Sequence, residues 1–437
     1  MVEEEYPVVP IAFGKEPEPP TLSGQPATRP DGQARPEEGD SKTAANLVLA
    51  RLFVGPTAHD PLQPQRPVCA SASLEHGGCT ANREITLLTG GYGTSRVASS
   101  DMMLADQRQD RSRNARAASL SSETVPTDLL TIRAPAPDWF RWAFSHPRQS
   151  QFVMAAGCRI HYLYWAREPA RPGGRGLLFI HGGGAHSYWW SYIAPYFTRD
   201  FRVAAIDLSG MGDSGWRAHY TSELRAEEIR AVMAAAQLGE RPFVIGHSFG
   251  GFMTMKVASQ YGDRLGGAVI VDSPIRPPEE EARHPLTRPP MGNKRVYETF
   301  DAALARFRLM AEQPCDNPFI VEFIGRHSLR RAENGWVWKF DSEAMGSRRF
   351  GEPVREYLQA VDCRAALIFG EKSALVSCET ASYMSSLMGP RAPVVEVPEA
   401  RHHVMLDQPL AFVAALRMLL DSWMRNESGE ESGCIDE

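Results

Sequence analysis

The segment VIGHSFGGF, residues 244–252, contains the pattern G-x-S-x-G with Ser248 at its centre. An apolar run precedes the pattern and a helix-like run follows it, so Ser248 is predicted to occupy a sharp strand-to-helix turn. Side chains at the flanking Gly246 and Gly250 would collide with their neighbours. The turn would lift the serine oxygen to the end of a sheet, at a helix N-terminus that favours negative charge. Ser248 is therefore the candidate nucleophile, the alternative being an ordinary Gly/Ser turn.

On both sides of that segment, from Pro137 onward, short apolar runs alternate with longer amphipathic stretches. The runs are RGLLFIHGG, FRVAAIDLSG, RPFVIGHSFG, GGAVIVDSP, RAALIFGEK and APVVEVPEA. Such runs are typical of strands buried on both faces of a parallel sheet, and the stretches between them suit crossover helices. The period-two alternation of residues 151–166 predicts an antiparallel hairpin at the sheet edge. The predicted fold class is α/β, with a mostly parallel central sheet flanked by helices.

Composition separates an extension at residues 1–135 from a globular domain at 136–425 and a tail at 426–437. The extension is rich in Pro, Gly and charge. It offers too little apolar surface to offset the entropy lost on ordering, so it is predicted to be mostly disordered, like the tail. Two apolar patches interrupt the extension. Residues 44–54 suit one or two helical turns, and residues 83–93 suit a strand.

The strand and helix alternation breaks between about 277 and 350. A polar, proline-rich exit is followed by two helical pieces and then by the aromatic turn GWVWKF. An insertion between two strands of an open sheet is positioned to cross the strand ends. We therefore predict a helical lid that excludes water from a pocket.

The bulk properties of the 437-residue chain exclude several functional classes. Its net charge is −6 and it shows no basic stripe, so no nucleic-acid partner is expected. No apolar run reaches the roughly 18–20 residues of a membrane span. The start, MVEEEYPVVP, lacks the positive charge of a secretory signal, and a cytoplasmic location is expected. The seven cysteines form no CxxC pair, so neither a disulfide framework nor a metal site is indicated, and no cofactor is expected.

A second glycine-rich segment, FIHGGGAHSYWW at residues 179–190, also follows an apolar run. Its glycines would let backbone N–H groups approach a substrate oxygen closely. The amide of Gly183 is the preferred oxyanion donor, together with the amide of Phe249 after the nucleophile. Gly184 is the next candidate. The alternative is a loop that only turns the chain.

A third glycine-rich segment suggests a different chemistry. Gly210, Gly212 and Gly215 have the G-x-G-x-x-G spacing of a dinucleotide-binding loop. However, Asp207 and Asp213 would place negative charge beside any phosphate, and no clear helix begins at the last glycine. Nucleotide binding is therefore not favoured.

The candidate base lies near the end of the domain, in VVEVPEARHHVMLDQP at residues 394–409. A histidine on a loop after the last strand can reach over the strand ends, take the serine proton and return it to a leaving group. Two adjacent histidines compete for this role. His402 is preferred, and His403 would then support the loop.

These motifs together identify a family. The series HGGG, DLSGMGDSG, GHSFGG, VDSP and ARHHVMLDQP resembles the α/β-hydrolase fold superfamily over about residues 140–425. The resemblance implies a Ser-His-acid triad, a two-amide oxyanion hole and a helical lid.

The acid departs from the common family pattern. In many members it follows the strand corresponding to AALIFG, spaced as G-x-x-D, but this chain has Ser373 at that position. Asp272 stands at the end of the preceding strand, which should be a neighbour in the sheet, and some members are similar in carrying the acid there. Asp272 is the preferred acid, Glu371 is the alternative, and a triad without an acid remains open.

The expected function is that of a serine hydrolase cleaving a carboxylic ester of a small, partly apolar substrate. Apolar character is suggested by the aromatic residues Tyr188, Trp189, Trp190, Trp336 and Trp338, and core packing is the alternative for each of them. A C–C bond hydrolase with the same triad is one alternative. A non-catalytic receptor or interaction protein on a hydrolase scaffold is another, supported by Ser373 and the long extension.

Overall fold

A computed structural model describes residues 51–53, 134–166, 174–283, 295–345 and 352–432 of the protein. Most of the predicted extension, including the apolar patch at 83–93, lies outside these ranges.

The described residues contain eleven strands. They are β1 (Arg51–Phe53), β2 (Gln149–Ala155), β3 (Cys158–Trp165), β4 (Gly176–Ile180), β5 (Arg202–Ile206), β6 (Phe243–His247), β7 (Gly267–Val271), β8 (Leu329–Ala332), β9 (Gly335–Trp338), β10 (Ala365–Gly370) and β11 (Val394–Val397). Nine of them form one sheet in the order β1-β11-β10-β7-β6-β4-β5-β3-β2, and β8 and β9 form a separate hairpin.

The central sheet is mostly parallel, as predicted. The pairs from β11 through β10, β7, β6 and β4 to β5 are parallel, whereas β2 and β3 form the predicted antiparallel hairpin at one edge. Every side chain of β4, β6, β7 and β10 is buried, which explains their uninterrupted apolar runs. All six runs quoted above form parallel strands.

Ten α-helices are described. They are α1 (Asp138–Phe144), α2 (Ser222–Ala235), α3 (Phe249–Tyr261), α4 (Pro278–Arg283), α5 (Phe300–Leu304), α6 (Pro318–His327), α7 (Val354–Gln359), α8 (Cys378–Met388), α9 (Val404–Asp407) and α10 (Pro409–Ser432). Helices α1 and α10 pack against the strand side chains on one face of the sheet. Helices α2 and α3 pack against those on the opposite face. The sheet is therefore covered on both faces, which confirms the α/β class.

Two chain segments near the boundaries of the domain differ from their predictions. Residues 51–53 form strand β1, antiparallel to β11, within the patch for which helical turns are predicted. An open sheet edge offers unpaired backbone N–H and C=O groups. Hydrogen bonding to these groups stabilises residues 51–53 more than their weak helical preference does. Helix α10 continues to Ser432, into the predicted tail, because extending an already packed helix costs little.

The insertion between β7 and β10 contains short helices and the β8–β9 hairpin. Its helical pieces are confirmed in α5 and α6, but the first four residues of the aromatic segment GWVWKF form strand β9 instead of a turn. Backbone hydrogen bonds join this insertion to the loop after β5, from Gly212 N to the Lys339 carbonyl and from Asp341 N to the Gly210 carbonyl. The Gln313 side chain accepts from the His403 amide at 3.1 Å. The insertion therefore contacts two of the loops at the strand ends.

Candidate active site

Ser248 lies on the sharp turn between β6 and α3, with φ +52° and ψ −115°. This region is rarely occupied by residues other than glycine, so the surrounding packing must hold it. A Cβ at Gly246 would lie 2.2 Å from the Gly250 carbonyl oxygen, and one at Gly250 would lie 2.4 Å from the Ile180 carbonyl oxygen. Both flanking glycines are thus required sterically. The serine side chain remains partly exposed at the end of the sheet.

His402 and Asp272, which are 130 positions apart, meet at the strand ends. Nδ1 of His402 lies 2.8 Å from Oδ1 of Asp272. The carboxylate is fully buried, and Asp272 has φ +46° directly after β7. Since the carboxylate can only accept, the hydrogen of the imidazole lies on Nδ1 and the lone pair lies on Nε2.

Ser373 contacts the same carboxylate. Its hydroxyl lies 2.7 Å from Oδ1 of Asp272, and the amides of Leu375 and Val376 each donate to the Ser373 oxygen at 3.1 Å. Two incoming donors occupy both lone pairs of the hydroxyl, so its only hydrogen points to Asp272. The Gly370 amide donates to Oδ2 at 3.0 Å. The serine at the position of the usual family acid therefore hydrogen-bonds an acid on the neighbouring strand.

Glu371, the alternative acid, is directed elsewhere. Its side chain is exposed, and Oε2 accepts from the Glu399 amide at 2.9 Å. The carboxylate that hydrogen-bonds His402 is that of Asp272.

His247, directly before Ser248, links the turn that carries Ser248 to the loop that carries His402. Its Nε2 donates to the His402 carbonyl at 2.9 Å, and the ring centroids of these two histidines are 4.8 Å apart. Burial, followed by the nearby His402 and His403, lowers the pKa of His247 well below its usual range. The ring is therefore neutral, and it holds the backbone of the His402 loop against the turn that carries Ser248.

The glycine-rich segment after β4 lies beside this turn. A Cβ at Gly182 would be 3.4 Å from the Ser248 Cβ, so the segment that also carries Gly183 passes close to Ser248. Within the described residues, the Gly183 amide donates to no protein acceptor. Gly184 has φ +68°, and a Cβ there would lie 2.4 Å from Sδ of Met310 in the insertion.

His181 fixes the start of the same segment. Its Nδ1 donates to the Gly182 carbonyl at 2.7 Å, while Nε2 accepts from the Leu208 amide at 3.1 Å. Burial lowers the pKa of His181 and keeps the ring neutral, although Asp207 acts in the opposite direction. The neutral ring thus ties the glycine loop to the loop after β5.

The third glycine-rich loop encloses a carboxylate. The amides of Ser187 and Asp213 donate to Asp207, and Nδ1 of His161 lies 2.7 Å from its Oδ2. A Cβ at Gly212 would lie 2.2 Å from the same oxygen. Burial would raise the pKa of Asp207, but His161 and the neighbouring histidines hold it well below its usual range. Within this loop the Asp213 amide donates to the acid, whereas the amides of Gly210, Gly212 and Gly215 donate to backbone carbonyls.

The aromatic residues of the region separate into different environments. Trp190 packs in the core against Phe179, with ring centroids 4.7 Å apart. Trp189 faces the site, where its ring lies 5.2 Å from that of His403. Tyr188 stacks on a histidine of α6. Trp336 and Trp338 lie on β9 and pack against aromatic rings within the insertion.

Two contributors to the site were missed by the sequence analysis. Ser373 was seen only as a missing acid, and His247 only as the variable residue of G-x-S-x-G. For Ser373, the available signal in the sequence was a hydroxyl side chain after the next predicted strand along the chain from Asp272. For His247 it was a polar ring at the end of a fully buried strand.

The sequence of the chain matches the model of a known protein family over more than half of its length. The model of the alpha/beta hydrolase family matches residues 177–416, which include the turn at Ser248, Asp272 and His402. The chain belongs to the alpha/beta hydrolase family. As a member of that family it is a hydrolytic enzyme, so the non-catalytic alternative is not retained. The resemblance stated above is thereby confirmed.

Relatives of this hydrolase include named esterases. It is 27% identical over 274 residues to Esterase Rv0045c of Mycobacterium tuberculosis, covering 60% of this chain and 87% of the relative. It is 25% identical over 255 residues to a pimeloyl-[acyl-carrier protein] methyl ester esterase of Neisseria meningitidis, covering 58% and 79%. The crystal structure of E-2-(acetamidomethylene)succinate hydrolase is similar with a TM-score of 0.53 and 22% identity, covering 62% and 98%. That structural likeness supports the fold.

No helix in the described part of this hydrolase is both long and apolar enough to cross a membrane.

Proposed function

We propose that this hydrolase cleaves carboxylic esters of small, partly apolar molecules through an acyl-enzyme on Ser248. The proposal rests on one observation above all, the 2.8 Å hydrogen bond between His402 and the buried Asp272 beside the strained Ser248 turn. The relatives named as esterases support the ester as the bond that is cleaved.

In the proposed first step, Nε2 of His402 accepts the hydroxyl proton of Ser248 while Oγ bonds to the ester carbonyl carbon. The carbonyl electron pair moves to its oxygen, which the amides of Gly183 and Phe249 stabilise. Asp272 holds the hydrogen of the ring on Nδ1 and stabilises the imidazolium that forms. Collapse of the intermediate breaks the C–O bond, and the leaving alcohol takes the proton from His402.

In the second step, water replaces the alcohol. His402 accepts a proton from that water as its oxygen bonds to the acyl carbon, and the same amides again stabilise the oxyanion. Collapse returns the proton to Oγ of Ser248 and releases the carboxylic acid. No group other than side chains, backbone amides and water takes part in this cycle.

The substrate class follows from the surroundings of the turn. Trp189 contributes an apolar face beside His403, and Met310 of the insertion contacts Gly184 of the proposed oxyanion loop. We propose that the insertion acts as the lid over this pocket. An apolar acyl or alcohol group would pack against these side chains, so methyl and p-nitrophenyl esters of short and medium acyl chains are the appropriate panel.

Covalent labelling tests the proposal. A fluorophosphonate should label the parent protein once, and Ser248→Ala should abolish both labelling and ester hydrolysis. The matched control is Ser259→Ala on the helix that follows the turn, whose hydroxyl donates to the helix carbonyl of Lys256. It should keep both. An intact parent that hydrolyses no ester of the panel and resists labelling would overturn the proposed function.

A further inference from the structure

Two side chains hold the backbone on both sides of His402. The amide of Arg401, directly before His402, donates to Oδ2 of Asp407 at 2.7 Å. The amide of His403, directly after it, donates to Oε1 of Gln313 at 3.1 Å. The two side chains are also joined to each other, since Nε2 of Gln313 donates to the same Asp407 oxygen at 2.9 Å. We call this pair the Gln313–Asp407 clamp.

The backbone fixes the direction of each hydrogen bond in this clamp. A backbone N–H can only donate, so the atom of Gln313 that faces the His403 amide must be its oxygen. The NH₂ group of Gln313 then points to Asp407, whose Oδ2 also accepts from the Arg401 amide. Reversing the Gln313 amide would place two donors against each other. The clamp therefore requires one partner that accepts twice and another that both accepts and donates.

The clamp supports His402 from a different part of the fold than its other contacts. The His402 carbonyl accepts from His247, and the imidazole donates to Asp272. Both of these partners stand at the ends of sheet strands, whereas Gln313 belongs to the insertion between β7 and β10. Gln313 therefore extends the support of His402 from the sheet to the insertion.

The stretch of the insertion that carries the clamp also contacts two neighbouring elements. At one end, Met310 packs against Gly184 of the proposed oxyanion loop. At the other end, Nδ2 of Asn317 donates to the Leu406 carbonyl of α9 at 2.7 Å. Residues 310–317 therefore contact both the proposed oxyanion loop and the helix that follows the candidate base.

We propose that Gln313 is a positioning residue for the candidate base, because it fixes the His402 loop together with Asp407 while the insertion is in place. The inference rests on the proposed function, in which Nε2 of His402 must meet the Ser248 hydroxyl. Misplacement of a reacting group by about 1 Å can cost roughly 100-fold in rate. A loop that is held at both amides beside His402 therefore favours acyl transfer.

The same contact couples the base to the position of the insertion. Displacing the insertion removes the acceptor of the His403 amide and one of the two donors to Asp407. The His402 loop then keeps its contact with His247 but loses its support on the other side. The insertion thus acts on the chemical step, in addition to covering the pocket.

Amide hydrogen exchange tests the clamp without any hydrolysis. In full-length Ser248→Ala protein, the peptide covering residues 401–407 should exchange about tenfold faster or more once Gln313→Leu is added, because opening of the loop then breaks fewer hydrogen bonds. Leucine is similar in size to glutamine but neither donates nor accepts. A peptide from α3 should be unaffected. Unchanged exchange at 401–407 in folded Gln313→Leu protein would overturn the clamp.

Steady-state kinetics test the positioning role. Gln313→Leu should lower kcat about tenfold with KM nearly unchanged, because it removes a hydrogen bond to a carboxylate that supports the loop. Thr299→Ala is the matched control. Thr299 caps α5 within the insertion by accepting from the Ala302 amide, so this variant weakens the insertion away from His402 and should keep kcat. An equal fall of kcat in both variants, or a change confined to KM, would show that Gln313 only anchors the insertion.

Reversing the clamp guards against misfolded variants. Gln313→Glu places two acceptors together and Asp407→Asn places two donors together, so each alone should lower kcat. Combined, the new glutamate can accept from the His403 amide and from the new asparagine, whose oxygen can accept from the Arg401 amide. The double variant should recover most of the kcat of the parent. A double variant no more active than either single variant would overturn the positioning role.

The two kinds of measurement separate this inference from the proposed function. A parent protein that hydrolyses no ester, while Gln313→Leu still loosens residues 401–407, would overturn the proposed function and leave only the clamp standing. A parent that hydrolyses esters and loses no kcat on Gln313→Leu would instead overturn the positioning role and leave the proposed function intact.

Discussion

The Ser373 hydroxyl donates a 2.7 Å hydrogen bond to Oδ1 of Asp272, the same oxygen that accepts from Nδ1 of His402. Ser373 follows β10 and Asp272 follows β7, and these strands are parallel neighbours paired at Ile368 and Val271. The candidate acid therefore stands one strand earlier than in the common family pattern, and a hydroxyl occupies the usual position. This arrangement leads to the first three predictions.

Asp272→Asn is expected to lower kcat by about 10⁴, because the amide can hold the wrong imidazole tautomer and cannot stabilise the imidazolium. Glu371→Gln is the matched control. Its exposed side chain should change kcat by roughly twofold or less, since surface substitutions shift energies by about 0.5 kcal/mol. Steady-state kinetics on one ester compare the two, and a larger loss in Glu371→Gln would contradict the assignment of the acid.

Ser373→Ala should lower kcat by about tenfold while leaving KM nearly unchanged. It removes one hydrogen bond to a charged group, and such bonds contribute about 1.5–3 kcal/mol. Ser373→Thr keeps a hydroxyl and should recover most of the activity. If Ala and Thr variants lose kcat equally, the hydroxyl does not position the acid.

Moving the acid back to the later strand provides a stricter test. Asp272→Asn combined with Ser373→Asp should be more active than Asp272→Asn alone, since a carboxylate from β10 can then reach His402. Ser373→Asp by itself should be less active than the parent because two adjacent carboxylates repel, which raises the pKa of one of them. A double variant no better than Asp272→Asn would show that the β10 position cannot serve the imidazole.

Low pH should destabilise the fold because it protonates buried histidines. Burial lowers the pKa of His327 from 6.5 to about 3, against a hydrogen bond to the Phe323 carbonyl. The folded state thus favours the neutral ring, and unfolding releases that constraint. The stability contributed by His327 is complete above pH 6.5 and is lost as pH falls toward about 3.

His327→Gln removes this titration but can still donate to the Phe323 carbonyl. The loss of melting temperature between pH 6.5 and about 3 should therefore be smaller in His327→Gln than in the parent. The exposed His219→Gln should follow the parent curve. An unchanged pH dependence in His327→Gln would show that this ring does not carry the effect. The other buried histidines with lowered pKa, His181, His186, His247 and His403, should leave some acid sensitivity in place.

A chain that begins at Ala134 should keep its activity and most of its melting temperature. It loses β1, which contributes only three residue pairs at the sheet edge, far from Ser248 in strand order. Its exposed β11 edge should, however, make the shortened chain aggregate more readily, as light scattering would detect. A large fall in kcat or in melting temperature would show that residues before 134 support the folded domain.

The strands, their flanking helices and the turn at Ser248 were predictable because each depends on local order along the chain. Uninterrupted apolar runs indicate strands that are buried on both faces. Glycines at positions 246 and 250 indicate a turn in which a side chain would collide with neighbouring atoms. His402 was proposed as the base by the same logic, since it follows the last predicted strand.

Contacts between strand ends depended on the lateral order of the sheet, which chain order does not encode. Only the folded chain places β7 beside β10, so that Asp272 receives hydrogen bonds from both His402 and Ser373 while Glu371 faces outward. The same convergence brings His247 under the His402 loop. Sequence alone supplied the candidate catalytic residues and the fold that carries them. Tertiary structure selected among the acids, because hydrogen bonding requires atoms within about 3 Å and residues distant along the chain reach that distance only in the assembled sheet.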